Sequence, residues 1–174
     1  MVFPHAGPGR LAVPRFHVTL MFSGDDPTKM DHWVWAGGFL NRVERPTRDE
    51  LFDIYLEDAR AAFTRKGLTG MQPRVVDVVR IHELRDPPLP PPDGRPLRNW
   101  RVHVDFVCHD VKFGGSGEGV FQWPEEPSGD VLRQMQIVLM GDTLALRGDG
   151  PDFADYSDVI ETTVAETSDP PSFP

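Results

Sequence analysis

The sequence predicts an α+β fold in which one main helix packs on a mostly antiparallel sheet, with extended Pro-rich arms at both ends. Three observations lead to this prediction: a period-two strand near the start, a helix with a complete N-terminal signal, and two further β-branched runs. We divide the chain into an extended arm over 1–14, a single α+β domain over 15–147 and an acidic, largely irregular tail over 148–174.

The first predicted strand covers residues 15–23 (RFHVTLMFS), where apolar residues alternate with His17, Thr19 and Met21. Three prolines and two glycines in residues 1–14 favour an extended arm before it. The next segment, 32–44 (HWVWAGGFLNRVE), stays ambiguous, because Gly37 and Gly38 would weaken either a helix or a strand.

A helix is predicted over residues 48–66. Thr47 and Glu50 have the spacing of a capping box, in which each side chain satisfies an otherwise free backbone N–H. Apolar residues then recur at helical spacing, and Gly67 supplies a stop signal.

The second half of the chain gives a mixed pattern. Residues 74–84 and 99–113 are strand-like, and the Pro-rich segment between them cannot join a ladder. We expect the stretch GGSGEG to break the second strand as a turn, with VFQW as a possible short strand after it. Residues 128–147 read as a helix or as a hairpin, and DVIETTVAE reads as a possible edge strand. No internal repeat is evident.

Composition limits the classes of function. The single cysteine, Cys108, excludes an intramolecular disulfide framework and a multi-cysteine metal site. No apolar run is long enough to span a membrane, and the start MVFPHAGPGR does not resemble a signal peptide. Of the 27 acids, seven lie after residue 148 without any Lys or Arg, which leaves 20 acids against 18 bases in the body. A nearly neutral body argues against sequence-specific or broad nucleic-acid binding.

The stretch His17-Val18-Thr19-Leu20 resembles half of the signature of the 2H phosphoesterases, a bilobal α+β family with two His-x-Thr/Ser motifs. The resemblance implies that His17 and a second histidine act as acid and base on a phosphodiester, with Thr19 gripping the phosphate. The candidate second motif begins at His103, but Asp105 stands where a hydroxyl is required. An ionised carboxylate would repel the phosphate there.

Other polar clusters give weaker indications. His103, Asp105 and His109 share one strand face, and imidazole and carboxylate suit a zinc or iron ion. The two histidines lie about 20 Å apart along an extended strand, so we predict neither a metal nor a cofactor. Alternatively, His103 and Asp105 could line a small-ligand cavity beneath a helix.

The order of helix, VVDVV strand, long linker and WRVHVDFV strand over residues 47–113 is similar to that of tail-terminator and neck ring proteins of tailed bacteriophages. The resemblance implies a non-enzymatic assembly subunit in a virion or host cytoplasm, forming a homo-oligomeric ring with neighbouring particle proteins through extended arms. The alternatives are the phosphoesterase and the pocket protein. The candidate interface residues are large aromatics: Trp33, Trp35, Trp100, Trp123 and Phe173.

Overall fold

The computed structural model describes residues 13–26, 29 and 32–173. Within these residues the chain forms six strands in two antiparallel three-stranded sheets, together with two long helices and a short 3₁₀ helix. This confirms the α+β class, with a second long helix besides the one predicted. The elements in chain order are β1 (Arg15–Ser23), β2 (Trp33–Asn41), α1 (Arg48–Arg65), β3 (Val75–Leu84), β4 (Arg98–Cys108), β5 (Phe113–Trp123), α2 (Gly129–Arg147), the 3₁₀ helix (Pro151–Tyr156) and β6 (Asp158–Thr167).

The fold contains the same unit twice, although the sequence shows no repeat. Residues 15–84 run β-β-α-β with strand order β2-β1-β3, and residues 98–167 run β-β-α-β with order β5-β4-β6. We name these units one and two, and their sheets A and B. In both units the pairing between the central strand and the last strand contains one shift in register. It follows Met21 in β1 and Asp105 in β4. The two units therefore align with an offset of 84 residues.

Unit one forms because β1 and α1 each present one apolar side. The alternate residues of β1 from Phe16 to Phe22 are buried against the helix, and the face of α1 that contains Leu51 and Phe63 covers them. The predicted capping box is present: Glu50 N–H bonds the Thr47 hydroxyl, and the Glu50 carboxylate accepts from Thr47 N–H at 2.8 Å. Each fully buried side chain of this size contributes about 1.5–3 kcal/mol to folding.

Unit two has a separate core between β4, β5 and α2. It resolves the alternatives left open for residues 128–147 and corrects the predictions for GGSGEG and for the end of the preceding strand. Residues 129–147 form helix α2, so the helix is the correct alternative and the hairpin is not formed. The prediction that GGSGEG is a turn is wrong, because residues 113–123 form one continuous strand, β5. A Cβ at Gly117 would lie 2.9 Å from both the Leu139 carbonyl oxygen and the Thr143 hydroxyl. The glycines thus let α2 approach this strand closely. The turn lies earlier, so β4 ends at Cys108 rather than at residue 113.

The C-terminal residues belong to the fold, so the prediction of a largely irregular tail is wrong over most of its length. The possible strand DVIETTVAE is confirmed within β6, which pairs with β4. After β6 the chain crosses sheet B, where Asp169 pairs with Arg101 and Ser172 bonds both backbone groups of Val120. Phe173 then packs against Phe121, with ring centroids 4.8 Å apart.

The two units are layered, with α2 between sheets A and B. Besides its packing on β4 and β5, α2 contacts β1 and β3 of unit one. The links are polar: Arg15 pairs with Asp142, and Arg80 donates to the Gly148 carbonyl at 3.2 Å. Burial raises the pKa of Asp142, and Arg15 opposes that shift. The Pro-rich residues 85–97 are the connection between the units, and residues 1–12 of the predicted N-terminal arm lie outside the described residues.

Candidate functional site

His17 and Thr19 lie on the face of sheet A that points away from α1. His17 is only 5% exposed and packs edge-on against Phe39, with ring centroids 5.0 Å apart. Both residues border an open groove of about 420 Å³ that Leu146 of α2 closes on one side. The groove continues over Gly37 and Gly38, where β2 carries no side chain, to Asp58 and Arg65 of α1.

The fold does not bring His17 and His103 together. His17 lies on the side of sheet A that faces α2, whereas His103 lies on the side of sheet B that faces away from α2. Helix α2 and sheet B therefore separate the two imidazoles. The 84-residue offset also places His103 at the position of Thr19, and Arg101 at that of His17. The second motif is thus not the structural equivalent of the first, and the two-histidine active site is not formed.

The cluster around His103 is a network of polar side chains on the outer face of sheet B. His103 lies 3.2 Å from Asp105 and 3.6 Å from Glu118. A hydrogen bond from Ser116 is the main cause that lowers the pKa of Asp105, and His103 adds to it. His109 stands apart in the β4–β5 turn, bonded to Asp158 at 3.1 Å. Among the described residues there is no group of three side chains that could hold a metal ion. This face is half-exposed and lies opposite α2, so His103 and Asp105 do not line a cavity beneath that helix.

The structure instead places His17 beside His82, a neighbour that the sequence did not indicate. The two residues are paired across β1 and β3. Burial lowers the pKa of both imidazoles, and for His17 the charge of His82 adds to the effect. The buried Nδ1 of His17 and Nε2 of His82 have no hydrogen-bond partner within the described part of the chain. Both rings are therefore neutral in the fold at pH 7.

This pair predicts a loss of stability in mild acid. The folded-state pKa of each histidine lies below its unfolded value of about 6.5, so its contribution is complete above that value and is lost as pH falls through and below it. We expect the urea midpoint of the wild type to fall between pH 7.5 and 5.5. A double variant His17→Gln/His82→Gln should show a smaller decrease over the same range. An equal decrease in both proteins would contradict this assignment.

The aromatic interface candidates occupy different environments. Trp100 is buried and donates its indole N–H to the Trp123 carbonyl at 3.1 Å. Trp123 and Phe173 pack against the core of unit two, and Trp33 is half-buried at the start of β2. Trp35 differs, since 53% of its surface is exposed. It lies on the same side of β2 as Phe39, which is 47% exposed, and Leu146 of α2, which is 62% exposed, lines the same groove. We call these three residues the apolar patch.

The strand that carries this patch is an open edge of sheet A. Among the described strands β2 pairs only with β1, and its nine residues, WVWAGGFLN, include no charged side chain. Two hydrogen bonds flank the β1–β2 ladder, from Gly24 N–H to His32 O and from Arg42 N–H to Pro14 O. They fix which alternate residues of β2 bond to β1. The even-numbered residues of β2 therefore bond to β1, and the N–H and C=O groups of Trp35, Gly37 and Phe39 point outward.

The other edges of the sheets carry charge or are covered. Strand β3 presents Arg80 and Glu83, and Arg45 donates to its Ile81 carbonyl at 3.1 Å. Ser172 bonds the edge of β5, and β6 carries several exposed acids. Charges and covering segments are the usual means by which sheet edges avoid pairing with other chains. Along its central residues β2 carries no charge, and no segment of the described part of the chain covers it, so within that part it is the edge open to a partner.

No helix in the described part of the chain is long and apolar enough to cross a membrane. Comparison of the chain with protein-family models, with curated proteins and with solved structures finds no match, so its geometry is the basis on which a function can be assigned.

Proposed function

We propose that this protein is a non-enzymatic assembly subunit that binds protein partners through the edge of β2. The observation that carries the proposal is the uncharged edge strand with Trp35 and Phe39 exposed beside it. Large aromatic side chains are enriched at the centres of protein interfaces, where they lose contact with water on binding. A groove that leads directly to free backbone groups suits a partner that adds a strand.

The distribution of polar groups supports a binding role over a catalytic one. A two-histidine mechanism needs both imidazoles within reach of one substrate. Here His17 is buried beside a second neutral histidine, and His103 lies 3.2 Å from Asp105 on a different layer. Among the described residues that line the groove, Asp58 is the only acid and Arg65 the only Lys or Arg. Their opposite charges cancel. This suits a binding surface from which water is excluded better than a catalytic site that activates a water molecule.

A virus or bacteriophage particle is the setting that we propose for this assembly. The order of α1, β3, the Pro-rich connection and β4 is the basis of that resemblance, and the described structure retains this order. In such a setting the subunit would bind itself and neighbouring particle proteins. Residues 1–14 would add contacts to further subunits in a ring.

A charge on the β2 edge should weaken association. We expect light scattering on the wild type to show species above the 19.6 kDa monomer as concentration rises. Phe39→Lys should require about tenfold higher protein for the same mean mass, because the charge must be desolvated at the interface. Ile160→Lys is the matched control, since Ile160 is 67% exposed on another edge strand and should associate like the wild type. A wild type that stays monomeric at every concentration would reject self-assembly.

A further inference from the structure

We propose that the partner of β2 is β2 of a second copy, paired antiparallel about a twofold axis through Gly37. This inference rests on the proposed function and names its partner. It would join the two A sheets into one six-stranded sheet with β2 and its symmetry mate at the centre. A twofold contact of this kind uses the same surface on both subunits and closes after two copies. A ring would then need a second contact elsewhere.

The backbone of β2 fits this pairing. Trp35, Gly37 and Phe39 direct both of their backbone groups outward, as derived from the bonds that flank the strand. In an antiparallel ladder, two residues that both point outward exchange two hydrogen bonds. An axis through Gly37 places Gly37 opposite Gly37 of the second copy and Trp35 opposite Phe39 of the second copy. The outward carbonyl of Trp33 is already bonded by Lys66 Nζ at 2.6 Å, which limits the pairing to these central residues.

The side chains fit as well. On the face of the apolar patch, the axis stacks Trp35 of each copy beside Phe39 of the other, so that four aromatic rings cover the centre of the joint. Aromatic cross-strand pairs stabilise an antiparallel ladder more than alanine pairs do. On the opposite face the axis brings Ala36 opposite Gly38 of the second copy, a pair too small to clash.

Charge favours a second copy despite the net charge of −9. Much of the acidity lies in residues 149–169, whereas β2 carries no charge, the groove beside it contains one acid and one base, Asp58 and Arg65, and Lys66 bonds the Trp33 carbonyl at one end of the strand. Like charges therefore do not meet at this edge. If β2 paired with another sheet edge, it would meet charged residues or the C-terminal residues that cover that edge. Strand β2 of a second copy is therefore its best match.

The register can be tested by mixing two cysteine variants, Trp35→Cys and Phe39→Cys, under mild oxidation. Opposed residues in such a pair have Cα atoms about 5.5 Å apart, which a disulfide can bridge. The substituted residues of two Trp35→Cys copies would instead lie about 13 Å apart along the strands. We expect a cross-linked dimer from the mixture, and none from either variant alone. The wild type is the control for its own buried Cys108, which should give no cross-link.

Hydrogen exchange on the wild type gives a second, independent result. The amides of Trp35, Gly37 and Phe39 should become protected as concentration rises, whereas those of Ala36 and Gly38 are protected by β1 at all concentrations. Oligomers that form without this protection and without the mixed cross-link would overturn the pairing and leave the assembly role intact. A cross-link from Trp35→Cys alone would overturn this register. A monomeric wild type would reject self-assembly and, with it, this pairing.

Discussion

Replacing Gly37 with alanine should destabilise the protein by about 3 kcal/mol or more, the upper end of the range for overpacked sites. A Cβ on Gly37 would overlap the carbonyl oxygen of Val18 in β1 and lie 2.9 Å from its carbonyl carbon. Neither atom can rotate away, because both belong to the backbone of the central strand of sheet A. We expect β2 to separate from β1 locally, with a lower urea midpoint and lost protection of the β2 amides.

Gly38→Ala is the control for this prediction. A Cβ at Gly38 would have the Tyr55 hydroxyl as its nearest neighbour, at 3.7 Å, which is ordinary contact. The two changes add the same methyl group to adjacent residues and lower the entropy of the unfolded chain equally. Gly38→Ala should therefore change the free energy of unfolding by less than about 1 kcal/mol. Similar losses in both variants would show that the close approach to Val18 does not control stability.

The sequence predicts best those elements whose signal is local. Strand β1 has the predicted bounds, α1 begins at its capping box, and β3 begins one residue from its predicted start. In each case the periodicity or the cap is contained in neighbouring residues, so no tertiary contact is needed to recognise it.

The elements that the sequence did not predict contain glycines that are required by tertiary contacts. Gly37 makes room for the Val18 carbonyl, and Gly117 makes room for α2, so each appears in the sequence only as a break in a strand pattern. Tertiary contact then overrides the weak local preference for a turn. The duplication was hidden for a related reason: the units share strand order and bulge position, but at equivalent positions His17 matches Arg101.

The candidate site divides in the same way. The position of His17 and Thr19 on one strand face followed from alternation alone. The uncharged stretch WVWAGGFLN was a further signal that could have been used. Its meaning depends on β2 being an edge, and that is a property of sheet order, which local patterns do not encode. The proximity of His82 to His17 depends on the register of β3 against β1, for the same reason.

Truncation of Phe106 in β4 to alanine should cost about 3–5 kcal/mol, the usual range for a buried phenylalanine. Phe106 is 1% exposed in the core of unit two and packs edge-on against Phe113, with centroids 6.0 Å apart. The two units have separate apolar cores, and polar contacts such as Arg15 with Asp142 connect them. We therefore expect hydrogen exchange to increase in residues 98–167 far more than in residues 15–84.

Phe22→Ala is the matched change in unit one. The 84-residue offset makes Phe22 the equivalent of Phe106, and Phe22 is fully buried in the other core. Its truncation should increase exchange mainly in residues 15–84, because the cavity is confined to one core and the contacts between units are few and polar. If either variant increases exchange equally in both halves, the duplicated units unfold as one cooperative domain. The contacts of α2 with β1 and β3 would then couple the two cores more strongly than their separate packing implies.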